Sequence, residues 1–351
     1  MNLCSSILQT KSTIQDNPRA SNLISIIMPV KNTETFLETC LDSIISQTYS
    51  DWELVAIDDH STDRSGDILQ RYSRQDIRIK VHPSNGHGII KALRLGYELC
   101  IGAYVTRMDS DDIMQPKKLE NMIAALHKCG NGHVAVGAVE YFSEGTLGDG
   151  YRSYAQWLNE LTAKNNNFSD IYRECVIPSP CWMMSREDFE TCGGFSPDRY
   201  PEDYDLCFRM YEADMKIVGI SDILHLWRDY DTRTSRTDAH YADNRFLDLK
   251  IHYFLSIDLD TSRPLILWGA GKKAKYIAQA LIQKNIVFHW ISNNDKKIGH
   301  NIYGKIIESP YFIEEAKQAQ IIITVANKIE QKALINNIHQ TVASHSIYRF
   351  C

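Results

Sequence analysis

The sequence predicts an α/β fold in two units: a mostly parallel sheet with helices on both faces, then a smaller α/β unit toward the C-terminal end. Three observations carry that expectation. Short apolar runs alternate with stretches of helical spacing through the first third of the chain. Clusters of aspartate follow directly on two of those runs. Much later, Leu265-Ile266-Leu267-Trp268 leads into Gly269-Ala270-Gly271, the strand–turn–helix opening of a fresh α/β unit.

Leu23-Ile24-Ser25-Ile26-Ile27-Met28 is an apolar run stopped by Pro29 and reads as a buried strand. Phe36, Leu37, Cys40, Leu41, Ile44 and Ile45 then recur at helical spacing. Trp52 to Ile57 gives a second strand, ending in Asp58-Asp59. Ile68, Leu69 and Tyr72 mark a helix, and Ile77 to Val81 a third strand. Ile89 to Cys100 is helical again, and Gly102 to Met108 is the strand that leads into Asp109-Ser110-Asp111-Asp112. Strands separated each time by a helix pair in parallel, because a parallel neighbour requires a crossover. Ligands of such sheets bind beyond the carboxyl ends of the strands, where both acidic groups fall.

The stretch from about Asn131 to Asn167 is rich in glycine and reads as a strand pair with surface loops. After Pro178-Ser179-Pro180-Cys181-Trp182 and Cys192-Gly193-Gly194-Phe195 comes Tyr200-Pro201-Glu202-Asp203-Tyr204-Asp205, with helical spacing from Leu206 to Tyr211. Glu202 and Asp203 therefore stand at a helix N-terminus, where carboxylates are favoured by the dipole and the free N–H groups. A boundary falls near Leu255 to Arg263. Beyond it, strands are expected at 265–268, 287–291 and 321–325, with helices carrying Ile277 to Ile282, near 311–319 and at 329–339. The organisation is thus a polar tail over 1–22, a larger unit over 23–257 and a small unit over 263–351.

Composition narrows the function. A chain of 351 residues has room for two cores. Net charge of −6 without a Lys/Arg block argues against nucleic acid as a partner. No run of 18 apolar residues exists to span a membrane, and Met1 to Ser21 has no apolar stretch of the signal-peptide kind. Nine scattered cysteines, odd in number and without a Cys-x-x-Cys, read as reduced and buried.

Asp109 and Asp111 lie two residues apart on one face at a strand end, roughly 7 Å along the chain. Like charges that close repel, so a cation or hydroxyl donors are expected between them. A hard divalent ion carrying phosphates is the natural occupant. The plainer reading is a polar turn capping the helix that starts near Pro116. Capping is likewise the plainer reading of Asp203.

Four motifs in order, Ser25-Ile26-Ile27-Met28-Pro29-Val30-Lys31-Asn32, Ser46-Gln47-Thr48, Asp58-Asp59-His60-Ser61-Thr62-Asp63 and Arg107-Met108-Asp109-Ser110-Asp111-Asp112, resemble the family 2 glycosyltransferases of the GT-A fold. The resemblance covers roughly residues 23 to 240. It implies a nucleotide-diphosphate-sugar donor, with UDP expected, and an inverting transfer to a hydroxyl of a glycan or glycolipid in surface polysaccharide or lipopolysaccharide synthesis. Pro29, Val30, Asn32 and Glu34 then correspond to the loop on base and ribose. Asp58 and Asp59 correspond to the carboxylates that hold the base, while Gly88 and Lys91 lie near the ribose and diphosphate. Arg107 and Ser110 flank the donor. The resemblance makes Asp111 the direct ligand of Mn²⁺ or Mg²⁺, with Asp109 nearer the ribose and a metal-bound water.

Expelling a nucleoside diphosphate needs a cation at the leaving oxygens, and the acceptor hydroxyl needs a base. By the resemblance, Asp203 is that base and Glu202 supports it. Trp182 is expected to stack on the acceptor sugar, with core packing as the alternative. Trp227-Arg228-Asp229-Tyr230 and Thr234-Ser235-Arg236-Thr237 resemble a signature of a bacterial subset. Arg228, Ser235 and Arg236 would close over the diphosphate, the alternative for Arg228 being an ion pair with Asp229 or Asp231. His225 is set down as a possible third metal ligand against a satisfied structural histidine. Arg94 and Lys31 depart from the family pattern, which leaves the base preference near them open.

A cytoplasmic protein is expected, peripheral at the inner membrane face through its acceptor, with a homo-oligomer left open. Two other readings compete. A sugar nucleotidyltransferase needs a Gly-rich phosphate loop after the first strand, where Pro29-Val30-Lys31-Asn32 stands. A non-catalytic scaffold would have no use for Asp109, Asp111 and Asp203 together. The C-terminal unit resembles small Rossmann-like tails of such transferases. Ser292-Asn293-Asn294 replaces the ribose-gripping acid of a dinucleotide site, so packing or partner holding is the favoured role.

Overall fold

The computed structural model describes residues 22–143, 145, 147–231, 233, 246–341 and 345–351. Its first sheet has eight strands: β1 (Ile24–Val30), β2 (Trp52–Asp58), β3 (Ile79–Pro83), β4 (Tyr104–Arg107), β5 (Ile113–Met114), β6 (His133–Phe142), β7 (Trp182–Ser185) and β8 (Lys216–Arg228). Their order is β3-β2-β1-β4-β7-β6-β8-β5. The first four run parallel, β7 runs antiparallel to both its neighbours, and β6 and β8 are again parallel. The carboxyl ends of β1, β2, β3, β4, β6 and β8 therefore share one edge. That geometry delivers Asp58-Asp59, Asp109 to Asp112 and Arg228 to the same side of the molecule.

The helices form because their apolar residues recur at helical spacing and have a sheet face to cover. Leu37, Cys40, Leu41 and Ile44 of α1 (Leu37–Ile45) are buried, as are Ile68, Leu69 and Tyr72 of α2 (Ser65–Gln75). Both pack with α4 (Lys118–Cys129) on the face carrying Ile24, Ile26 and Met28. On the opposite face α3 (Ile89–Leu99) meets Ile27, Val55 and Ile57. Covered on both faces, the strands are almost continuously buried, as parallel strands are.

Two expectations are corrected here. Pro29 does not stop β1, which runs to Val30. The Ile27 carbonyl faces β4 and accepts from Met108 N, so Pro29, two residues on, has its missing N–H beyond the end of β4. The stretch after Asn131 is not a strand pair. It is one long strand, β6, followed by α5 (Asp149–Ala163), whose Ala155, Leu158, Leu161 and Thr162 are buried.

The chain continues through α6 (Arg186–Thr191), α7 (Glu202–Glu212) and α8 (Phe246–Tyr253) into a second sheet. This contains β9 (Leu265–Trp268), β10 (His289–Ile291), β11 (Asn301–Ile302), β12 (Lys305–Glu308), β13 (Gln320–Ile323) and β14 (Ser346–Arg349), in the order β11-β12-β10-β9-β13-β14. Only β11 is antiparallel. The crossovers include α9 (Lys272–Gln283), α10 (Phe312–Glu315) and α11 (Lys328–Thr341). Gly269 adopts φ 127°, and a Cβ there would lie 2.3 Å from Thr324 Oγ1, so the turn after β9 requires glycine.

One apolar core runs through both sheets. Tyr172 of the first unit stacks on Phe350 at 5.2 Å between ring centroids, and Leu265, Leu267 and Ile277 belong to the same cluster as Ile27 and Val55. Tyr172 also bonds Asp258, and Arg349 pairs with Asp170. No helix among the described residues is long and apolar enough to cross a membrane.

Candidate active site at the carboxyl edge

The loops after β1 and β2 are stitched together by short polar side chains. Thr62 N donates to Asn32 Oδ1 (2.8 Å), Glu34 N to Asp63 Oδ2 (3.0 Å) and Arg64 N to Glu34 Oε2 (2.9 Å). Asn32 and His60 take positive φ (52° and 58°), a conformation Asn and His tolerate better than most residues. Asn32 and Glu34 thus shape the loop with their own side chains, and Val30 is 1% exposed.

Asp58 and Asp59, at the tip of β2, are differently placed. Asp58 Oδ1 accepts from Ser61 N (3.0 Å) and turns the loop. Asp59 is 4% exposed, and its Oδ2 accepts from Gly88 N (3.0 Å) and Lys31 Nζ (3.3 Å). Its Oδ1 is buried without a hydrogen-bond partner. Such an acceptor is costly to leave alone. Lys91 is exposed near the same loop.

The acidic run after β4 is held from three sides. Gln47 Nε2 donates to Gln115 O (2.8 Å), and Leu119 N donates to Gln47 Oε1 (3.1 Å), which clamps the segment behind the aspartates. Asp112 is fully buried, accepting from Arg228 N (2.8 Å) and contacting His225 Nε2 (3.0 Å). His225 Nδ1 in turn meets Lys118 Nζ (3.3 Å). Burial, with Lys118 close by, holds the imidazole well below its usual pKa. His225 is therefore neutral, fully buried and engaged at both ring nitrogens. Its assignment as a metal ligand is corrected: it props Asp112 from behind.

Asp109 and Asp111 face the open edge. Arg107 Nε donates to Asp109 Oδ1 (2.9 Å), while Arg107 Nη1 donates to Glu202 Oε1 (2.9 Å). One buried guanidinium thereby joins the acidic run of β4 to the start of α7. Burial opposes its charge, but Asp109, Glu202 and Asp203 outweigh it and hold Arg107 above its ordinary range. Asp111 Oδ2 accepts from the Tyr230 hydroxyl (2.8 Å). Burial, with Asp112 and Asp109 adjacent, pushes the Asp111 carboxyl up to about 7. Asp203, in the first turn of α7, is also pushed up to about 7, by burial first and then by Glu202, against the pull of Arg107. Ser110 is buried within the turn.

Other sequence-predicted residues fare unevenly. Trp182 is 3% exposed and lies parallel to Phe189, with centroids 5.7 Å apart. It presents no face to a sugar, so the acceptor-stacking expectation gives way to core packing. Arg228 is anchored rather than held out over the edge. Its Nε donates to Asp111 O (2.8 Å) and its guanidinium lies 4.6 Å from the ring centroids of both Phe36 and Phe142. Ser235 and Arg236 lie outside the described residues. Arg94, noted as a departure, donates to Phe195 O (3.3 Å) and Ser196 O (2.8 Å), tying α3 to the loop before Glu202.

Sequence reasoning missed Tyr230 and Arg233. Burial opposes the charge of Arg233, but Asp112, Tyr141 and Asp111 outweigh it and keep the guanidinium raised. Its only sequence signal was a place among the polar residues between Tyr230 and Ser235, where any of several side chains fits as well.

Residues 25–193 match the family model described as Glycosyl transferase family 2. Glycosyltransferase GlyG of Streptococcus pneumoniae is 29% identical over 227 residues, 62% of this chain and 74% of that protein. GlyA of the same organism is 37% identical over 214 residues, 58% of this chain but 30% of that longer protein. Among solved structures, S. aureus TarS 1-349 in complex with UDP-GlcNAc superposes with a TM-score of 0.51 at 19% identity, covering 74% of this chain and 71% of that one. GalNAc-T7 with UDP, GalNAc and Mn²⁺ gives a TM-score of 0.50 at 13% identity, covering 66% of this chain and 49% of that one. Residues 25–193 thus match glycosyl transferase family 2, and the chain is a glycosyltransferase, an enzyme that transfers a sugar from a nucleotide-diphosphate-sugar donor to an acceptor.

Proposed function

We propose that the chain is a metal-dependent inverting glycosyltransferase that uses a UDP-sugar and a hydroxyl acceptor on a surface glycan or glycolipid. The observation that carries this reading is Arg107, which joins Asp109 of the acidic run to Glu202 beside Asp203. A donor-binding carboxylate pair and a basic carboxylate brought together at one edge are what a single displacement needs.

Each residue then has a task. The unpartnered Asp59 Oδ1 accepts the ring N–H of the base, with the loop of Pro29, Val30, Asn32 and Glu34 against base and ribose. Asp109 and Asp111 offer only carboxylate oxygens, the donor set of Mn²⁺ or Mg²⁺, and the raised pKa of Asp111 reflects burial first and then the charges of Asp112 and Asp109, which a cation offsets. When bound, that ion neutralises the pyrophosphate charge that develops as the sugar leaves. Tyr230 and Arg228 fix the side chain and backbone of Asp111 for that role, and Lys91 lies toward the diphosphate. Asp203, with a pKa near neutrality, removes the acceptor proton, and Glu202 holds its charge partner Arg107 in place.

Of the solved structures that share the fold, TarS 1-349 is in complex with UDP-GlcNAc and GalNAc-T7 is with UDP, GalNAc and Mn²⁺, which supports the choice of base and metal. The C-terminal unit, doubly wound in the Rossmann manner, acts as a brace on the catalytic unit through Tyr172, Phe350 and Arg349. Thermal denaturation with nucleoside diphosphates and Mn²⁺ tests the donor: UDP is expected to raise the melting temperature more than GDP or CDP. Equal or absent shifts would contradict the assignment.

A further inference from the structure

Beside the acidic run, the same edge carries a second group with ligand chemistry. A carboxylate oxygen of Asp59 and one ring nitrogen each from His60 and His87 lie within 4.8 Å of one another. The two imidazoles are exposed and tilt against each other, with centroids 4.2 Å apart. Asp59 itself is buried, and its Oδ1 has no partner. β1 separates β2 from β4 in the sheet, so this group sits two strand spacings, roughly 10 Å, from Asp109 and Asp111.

We propose that Asp59, His60 and His87 form a separate site for a borderline transition-metal ion, Zn²⁺ being the type case, and that its occupation excludes the nucleotide. Two imidazoles and one carboxylate suit Zn²⁺, whereas Mn²⁺ and Mg²⁺ favour the all-oxygen set of Asp109 and Asp111. Three protein ligands leave a fourth position open for water. Ligand atoms around tetrahedral zinc stand roughly 3.3 Å apart for bonds near 2.0–2.1 Å. Both histidines are exposed loop residues, so closing from 4.8 Å needs only side-chain movement.

The surroundings favour this chemistry. His60 Nε2 lies 3.2 Å from the Gly86 carbonyl, which fixes one ring nitrogen as a donor and leaves the other its lone pair. Gly88 N and Lys31 Nζ both engage Asp59 Oδ2, leaving Oδ1 for a ligand. Lys31 is the opposing charge, but its side chain is 55% exposed and free to swing into solvent. The exclusion half rests on the proposed function, since Asp59 Oδ1 cannot serve both a base N–H and a metal ion.

Isothermal titration of the full chain with Zn²⁺ alone, in excess Mg²⁺, tests the site. Single-site binding is expected, weakened by roughly 100-fold or more in His60→Ala and His87→Ala, because even an outer-shell partner is worth 10–100-fold. Both substitutions are at exposed positions and leave the core intact. Zinc uptake that is absent, or unchanged in both variants, overturns the proposal. Uridine, which has no phosphate to chelate the metal, is then added as competitor. A fall in apparent zinc affinity supports exclusion. Histidine-dependent zinc bound together with uridine overturns exclusion and removes the base from Asp59, while the metal site itself stands.

Discussion

Asp203 combines a position at the start of α7 with a carboxyl pushed up to about 7 by burial and by Glu202. A base must be deprotonated to act, so kcat/KM is expected to fall about tenfold per pH unit below 7 and to level off above it. Asp203→Asn should lower kcat by at least ~10²-fold and abolish that pH dependence, while Mn²⁺-dependent UDP binding persists. Linkage adds a stability signature. The folded carboxyl keeps its proton up to about 7, whereas the unfolded one releases it near 3.8, so this group costs stability as pH rises between those values. Asp203→Asn is therefore expected to melt higher than the parent at pH 8 and close to it at pH 4, as calorimetry would show. Asp109, Asp111 and Asp203 stand out only through the family resemblance, because a carboxylate after a strand or at a helix start has capping as its plain use. Burial is invisible to spacing, which is why two readings each of Trp182 and His225 stand open in the sequence and the Asp112–His225–Lys118 support is not legible there.

At the level of elements, β8 carries His225 and Arg228 to the edge, and its packing against α5 decides where they stop. Gly219 of β8 lies against the end of that helix: its N–H donates to Asn165 Oδ1 (2.6 Å), and a Cβ there would come within 1.8 Å of the Thr162 carbonyl oxygen. Backbone cannot yield as a side-chain tip can. Gly219→Ala is expected to destabilise by about 1–3 kcal/mol, while Gly150→Ala, with nothing near its Cβ, stays within about 0.5 kcal/mol; urea titration distinguishes them. The parallel β1 to β4 half was legible because each helix and strand there has its own clean period. Helix α5 was not, since Gly145 and Gly148 lead into it, Gly150 is its second residue, and the run reads as loop. Strands β12 and β14 are four residues each and too short for a pattern to register.

Across the whole molecule, the two sheets share one core, with Tyr172 against Phe350 and Tyr348 at its seam. A brace of that kind makes unfolding a single event. Phe350→Ala removes a fully buried ring and is expected to cost about 3–5 kcal/mol, lowering the melting temperature and broadening or splitting the calorimetric transition. The presence of two units was readable from the fresh strand–glycine–helix start at Leu265. Their shared core was not, because the contact between Tyr172 and Phe350 spans about half of the chain. What unites the molecule functionally is the carboxyl edge of the first sheet, where Asp59 and Asp111 are expected to hold the two ends of one nucleotide. Calorimetric titration of UDP with and without Mn²⁺, on the parent and on Asp111→Ala, tests that most directly. Metal-dependent binding in the parent, weakened at least about tenfold by the substitution, is the expected result. Affinity that is indifferent both to Mn²⁺ and to loss of Asp111 would contradict it.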